Sequence, residues 1–335
     1  MTGYIRPLQR LSRSDEPTFG GKSANLGELL AADIPVPPGF ALSTAAFEAF
    51  VTGSDLGQTP DDARANAMRA APVPEAVREE LTLAYTALAE AVGVADPPVA
   101  VRSSAIGEDS QEATFAGQQD TYLWVRGSEN VCNAARDCWA SLYSPTAIAY
   151  RARLAETGNA PAMGVTVQLM VDAEVSGVMF TCNPVSGDPS MVAVNSSWGL
   201  GLAVVGGEVT PDDFLVSKVT REVVREHIHP KDVQYVPDPG GKGAVRVAVE
   251  GDRREAPSLE QADLERLVEV ARRIERYFGC HQDIEWALPR GETERVFIVQ
   301  TRPVTAVAKK PDKPKPASAM SLIMSTFGAA PPKDA

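Results

Sequence analysis

The chain has 335 residues, 44% hydrophobic and 23% charged, with a formal charge of −12. Such a length allows two domains with real cores, and such a charge argues against a general nucleic-acid binder while leaving room for a nucleotide held by a local basic pair. No apolar run approaches the roughly 20 residues of a membrane helix, and the N-terminal segment lacks a signal-like apolar core, so a cytoplasmic protein with neither nucleic acid nor membrane as partner is expected.

In chain order, a helix is predicted from about Lys22, after Gly20 and Gly21, with Leu26, Leu29 and Leu30 on one face and Pro35, Pro37 and Pro38 as its stop. A second helix covers 44–51. The polar, proline-bounded stretch 56–74 reads as loop with at most a short helix. Val77, Leu81, Tyr85, Leu88 and Val92 give 75–92 a helical period. Strands follow at 98–102 and 121–125, then a helix over 130–142. Val165, Val167 and Leu169 alternate with Thr166 and Gln168, the period of a strand. Further strands are predicted at 178–181 and 191–195. Leu264, Leu267, Val268, Ala271, Ile274 and Phe278 mark a long helix, and strands at 283–287 and 296–301 come after it. Beyond Pro303 the chain turns Lys- and Pro-rich, a solvated tether before an apolar island at 320–327 that either docks on a partner or folds back. Cys132, Cys138, Cys182 and Cys280 form no CxxC pair and, with three histidines, no metal-ligand spacing; they read as buried, reduced thiols.

Three groups of residues could carry chemistry. Gly20-Gly21-Lys22-Ser23 opens a helix, where backbone N–H groups and the dipole favour an anion; the alternative is a plain helix start with an exposed lysine. Arg102-Ser103-Ser104 ends a predicted strand, and a guanidinium there can fork onto phosphate oxygens, as the small residues of the nearby loop Thr114-Phe115-Ala116-Gly117-Gln118 can let backbone approach them. On strands, residues two apart share a face. Asp283 and Glu285 therefore point together, as do Gln300 and Arg302; paired, they offer either hard oxygen ligands beside a cation for a Mg²⁺-triphosphate or an exposed, salt-bridged sheet face.

The motifs GGKSANLGEL, VPPGFALST, AVRSSAIGEDS, TFAGQQDTYL, VQLMV, SGVMFTCNP, GLGLAVVGGEVTPDDF, QDIEWA and IVQTRP resemble, in order over about 15–305, the ATP-binding domain of the pyruvate phosphate dikinase and phosphoenolpyruvate synthase family. The resemblance implies an α/β (α+β), ATP-grasp-like fold of two lobes, with an N-terminal lobe over 1–195, the C-terminal part of the grasp over 196–305 and the tail 306–335. It implies that Lys22, Arg102 and Arg302 meet phosphates, that Thr114, Gly117 and Gln118 cover them, and that Thr121 lines the nucleotide site. Gln168, Leu169, Met170 and Val171 become the adenine hinge, Glu285 and Gln300 the Mg²⁺ ligands, and Asp283 a supporting group. ATP and Mg²⁺ are the implied cofactors.

Two departures stand out. Leu202 follows Gly199-Leu200-Gly201 where the family usually shows Glu. The family also passes phosphate through a histidine in a Thr-Ser-His segment of a swivelling domain, and His227, His229 and His281 stand in no such segment. The expectation is a nucleotide module whose carrier histidine and acceptor site lie on a separate subunit. A non-catalytic ATP-sensing subunit and an ATP-grasp ligase are the alternatives.

Overall fold

The structure, a computed structural model, describes residues 3–106, 121–153, 162–241, 243–291 and 294–304. The loop residues Thr114, Gly117 and Gln118, the tether and the 320–327 island lie outside the described residues.

The first half builds strands β1 (Ile5–Pro7), β2 (Gly39–Leu42), β3 (Val99–Ala105), β4 (Thr121–Val125) and β5 (Met163–Leu169). They form an antiparallel sheet in the order β1-β2-β5-β3-β4. Its helices are α1 (Glu16–Phe19), α2 (Gly21–Ala31), α3 (Thr44–Gly53), α4 (Asp61–Ala70), α5 (Glu75–Val92), α6 (Ser128–Ser141) and α7 (Pro145–Arg153). The second half contributes β6 (Ala173–Phe180), β7 (Met191–Trp198), α8 (Leu202–Val205), β8 (Asp212–Ser217), β9 (Val223–His227), β10 (Val233–Pro237), β11 (Ala244–Ala248), α9 (Gln261–Phe278), β12 (Gln282–Pro289) and β13 (Phe297–Pro303). A six-stranded antiparallel sheet runs β13-β12-β6-β7-β8-β9, while β10 and β11 pair as a separate hairpin. This mixed α/β arrangement with two sheets agrees with the expected two-lobed fold. The expected lobe boundary at 195/196 falls inside β7; the chain passes from one sheet to the other at 170–172, between β5 and β6. Among the described residues no helix is long and apolar enough to cross a membrane.

Each sheet has its own core. Phe47, Phe50 and Trp139 anchor the first, with the Phe50 and Trp139 rings stacked at 5.4 Å. The second packs Leu264, Leu267, Val268, Ala271 and Ile274 of α9 against Ile284 and Trp286 of β12. The sequence fits α9 to this place: its apolar residues recur on one face, Glu260 and Asp263 form a capping box, and Gly279 ends it at φ 71°. Leu26 and Leu29 of α2 join that second core. The other side of α2 meets β5, where Ser23 Oγ and Thr166 Oγ1 lie 2.6 Å apart, both residues fully buried. The alternation read in 165–169 therefore separates two buried faces, one apolar and one polar, rather than core from solvent.

Cys132, Cys138 and Cys182 are buried free thiols as expected, whereas Cys280 is exposed. A fully buried ion pair closes the far end of the second sheet. Lys231 Nζ lies 2.6 Å from Asp212 Oδ1 and donates also to the His229 carbonyl, and Asp212 Oδ2 accepts from the Ser258 amide and hydroxyl at 2.8 and 2.6 Å. Removing one charge leaves the other buried alone, at a cost of about 3–5 kcal/mol. Denaturant unfolding of Asp212→Asn is expected to show a loss of that order; a change below about 1 kcal/mol would mean that the ammonium finds water.

Candidate functional site

The site forms where the two sheets face each other. β3 and β5 bring Arg102, Gln168 and Leu169 from one side; β12 and β13 bring Glu285 and Gln300 from the other. Between them lies a cleft of about 180 Å³, which Thr121, Met170 and Val171 also line. Lys22 and Arg302 stand beside this cleft rather than on its wall. The Lys22 ammonium donates to the Ser103 carbonyl at 3.1 Å, next to Arg102, and Arg302 lies two residues beyond Gln300 on the same strand.

The start of α2 is less open than its glycines suggest. The Ser23 amide already donates to Ser104 Oγ at 3.2 Å, and a Cβ on Gly20, which has φ +79°, would stand 2.0 Å from the Ser104 carbonyl oxygen. Gly20 thus serves the approach of α2 to β3. The Ser23 amide at the start of α2 is therefore already engaged, and the Lys22 side chain stands beside the cleft.

The register of β12 and β13 assembles the second half. Asp283 pairs with Arg302 and Glu285 with Gln300, but the next pair is Trp286 with Ile298. Val299 is the extra residue of a β-bulge. The bulge lets Val299 and Gln300 both line the cleft while Ile298 stays in the core. It also aims the Val299 carbonyl across the gap, where Arg102 Nη1 donates to it at 3.3 Å. The same nitrogen lies 3.7 Å from Glu285 Oε2, and Arg102 Nε is buried without a hydrogen-bond partner among the described residues. Arg302 forks onto Asp283 through Nε and Nη2 at 2.9 and 2.8 Å. A salt bridge is present on this strand pair, and it flanks a carboxylate and a carboxamide, Glu285 and Gln300, that line the cleft.

Other lining residues escaped the sequence reading. Leu200, Gly201, Leu202 and Val205 wall the end of the cleft near Met170 and Val171. They are held there because the Leu200 amide donates to the Tyr235 carbonyl at 2.9 Å, which ties the segment to β10. Leu123 lines the cleft beside Trp124, whose φ of +58° marks a second irregularity, in β4. Trp124 packs with Ala173, Leu200 and Ala287 in a small cluster that joins the sheets. The quoted motif GLGLAVVGGEV was the available signal for the α8 wall; the bulges left none.

Comparison with known proteins places these residues in context. Residues 16–321 match the family model described as "Pyruvate phosphate dikinase, AMP/ATP-binding domain". A "Probable phosphoenolpyruvate synthase" of Staphylothermus marinus is 37% identical across 93% of this chain and 42% of its own length. "Prodigiosin synthesizing transferase PigC" of Serratia marcescens is 37% identical across 87% of this chain and 32% of its own length. The chain thus spans less than half of either relative. A solved structure, PH1788 of Pyrococcus horikoshii, covers 77% of this chain and 98% of its own at 13% identity and a TM-score of 0.32, a likeness too slight to carry an argument.

Burial raises the Asp283 carboxyl above the usual range, Arg302 pulls it back, and the Glu285 charge adds to the rise. A carboxyl raised on folding stabilises below its unfolded value, near 3.8, and loses that contribution as pH climbs through the folded value. Unfolding of the unaltered chain and of Asp283→Asn across the acid range is the check. The stability of the unaltered chain relative to the variant is expected to fall as pH rises above about 4; a constant difference would show that Arg302 cancels the burial.

Proposed function

The chain belongs to the family of the pyruvate phosphate dikinase AMP/ATP-binding domain, and from that membership we propose that it is the ATP-binding subunit of a multi-subunit dikinase-type phosphotransferase. In this reading ATP and water yield AMP, inorganic phosphate and a phosphorylated histidine on a partner subunit. That histidine then passes the β-phosphoryl group to an acceptor such as phenol or pyruvate. The division of labour is like that of phenylphosphate synthase, which resembles a phosphoenolpyruvate synthase cut into subunits. None of this chain's three histidines stands in a Thr-Ser-His segment, so the proposal puts carrier and acceptor site on the partner.

The observation that carries the reading is the meeting of Arg102, Glu285 and Gln300 in a cleft that is also lined by the apolar Leu169, Met170, Val171 and Leu200. A nucleotide combines the same charged and apolar chemistry. The hinge residues Gln168, Leu169, Met170 and Val171 would take the base. Lys22, Arg102 and Arg302 would supply positive charge to the phosphates, and Thr121 would line the path between. The loop with Thr114, Gly117 and Gln118 is assigned to cover them. Phosphoryl transfer needs placement and charge neutralisation more than covalent help, which these side chains can give.

The donor set also fits Mg²⁺. The Glu285 carboxylate and Gln300 carboxamide sit opposite each other in register and supply two hard oxygens. Among the described residues no group of three or more His, Cys, Asp or Glu gathers as a self-sufficient cage. Two protein ligands with the rest from phosphates and water is the usual Mg²⁺ arrangement. Bound there, the ion would neutralise and orient phosphate oxygens. Leu202 favours the second reading, an ATP-sensing subunit without catalysis. Products separate the readings: AMP and phosphate for the dikinase, none for the sensor, ADP for a ligase.

Two outcomes are expected. Calorimetry with ATP should show tighter binding when Mg²⁺ is added, and Glu285→Ala should abolish that gain; an unchanged Mg²⁺ response would move the metal elsewhere. The purified chain alone, given ATP and phenol or pyruvate, should form little phosphorylated acceptor over hours. Rapid transfer without any second chain would sink the divided-enzyme proposal.

A further inference from the structure

The cleft changes character along its length, and the change bears on which sugar it admits. On β3 the order runs from Ser103 and Arg102 to Ala100; on β12 it runs from Asp283 and Glu285 to Ala287. Both sides thus pass from charged to apolar in the same direction, because Ala100 pairs with Gln168 next to the hinge and Ala287 pairs with Ser176 close to where β6 begins. The apolar end is formed by Met170, Val171, Ala173, Leu200, Leu202 and Val205.

The polar groups close to this end are engaged elsewhere. The Ser176 hydroxyl donates to the Gly199 carbonyl at 2.6 Å. Asp172 faces Arg290 at 3.8 Å, and Glu174 is held by both Arg253 and Arg290. Glu208, just beyond α8, accepts from the Tyr235 hydroxyl at 2.7 Å and from Arg246 Nε at 3.2 Å. None of these three carboxylates is among the described residues that line the cleft. With phosphates at the Arg102 end, a nucleoside triphosphate lays its base and sugar along the apolar wall. A ribose hydroxyl there would meet methyl and methylene groups from Leu202 and its neighbours and, among the described residues, no side-chain carboxylate.

We infer that the site holds the sugar by hydrocarbon contact and takes 2′-deoxyribonucleoside triphosphates nearly as well as ribonucleoside triphosphates, with Leu202 as the residue that sets this tolerance. The inference rests on the nucleotide reading proposed above. A site that hydrogen-bonds a hydroxyl through a charged group rejects the analogue without it by a factor of roughly ten or more. Loss of a hydroxyl that touches only hydrocarbon carries no such penalty.

The test is calorimetry on the full chain with Mg²⁺, using ATP and 2′-deoxy-ATP. The expected ratio of dissociation constants is below about fivefold, well short of what a charged hydrogen bond gives. A ratio of fivefold or more in favour of ATP overturns the inference. Absence of ATP binding overturns the nucleotide reading beneath it, and is told apart because ATP itself then fails. Leu202→Glu, which places a carboxylate at the first turn of α8, is expected to raise the ratio to about tenfold; an unchanged ratio in a variant that still binds ATP would remove Leu202 from the sugar. The measurement on the unaltered chain stands whether or not that variant folds.

Discussion

One guanidinium links the two sheets at the cleft. Arg102 rises from β3, donates to the Val299 carbonyl of β13 and faces Glu285 of β12. The bond exists because the bulge turns Val299 out of the ladder; with strict alternation a residue beside Gln300 would point into the α9 core. The satisfaction of Arg102 is incomplete. Its Nε is buried with no hydrogen-bond partner among the described residues, and an unmet buried donor costs on the order of 1–3 kcal/mol. A ligand with acidic oxygens would relieve that cost.

The two halves also meet through the second core, where Leu8, Leu11, Phe19, Ile34, Val36 and Ala41 of the first half pack with the α9 side. The first core packs around Trp139 and the second around α9. Between them run the 170–172 connection, the small cluster of Trp124, Ala173, Leu200 and Ala287, and α2, whose Asn25 donates to the Thr301 carbonyl at 3.3 Å. The residues that could meet a nucleotide are thus divided between two sheets. Their spacing follows from how the sheets meet, which no single strand decides.

Much of the architecture was legible because long amphipathic helices and paired strands announce themselves by period. The predicted helices at 75–92 and around 264–278 match α5 and α9. The polar stretch 56–74 hid α4 because only Ala65 and Met68 of that helix are buried, too few to show a period. The strands β9 to β11 went unread for a related reason, since few of their residues are buried. β9 is an edge strand whose residues are mostly exposed, and its Arg225 pairs with Asp213 outside the core. In the site, residue types on β12 and β13 pointed to Asp283, Glu285, Gln300 and Arg302 as one surface. The Val299 bulge and the bond from Leu200 to Tyr235 depend on register and on a distant hairpin, and local patterning carries no trace of either.

The glycines of GGKSANLG answer to packing. A Cβ on Gly20 would collide with the Ser104 backbone, and one on Gly27 would lie 2.3 Å from the Leu11 carbonyl oxygen. Neither constraint involves Lys22 or any ligand. In an evolutionary lineage that abandoned the nucleotide but kept the fold, selection would still hold both glycines while the lysine between them drifted. Within such a family the glycines are a record of descent, and the lysine is the position at which gain or loss of chemistry would be written.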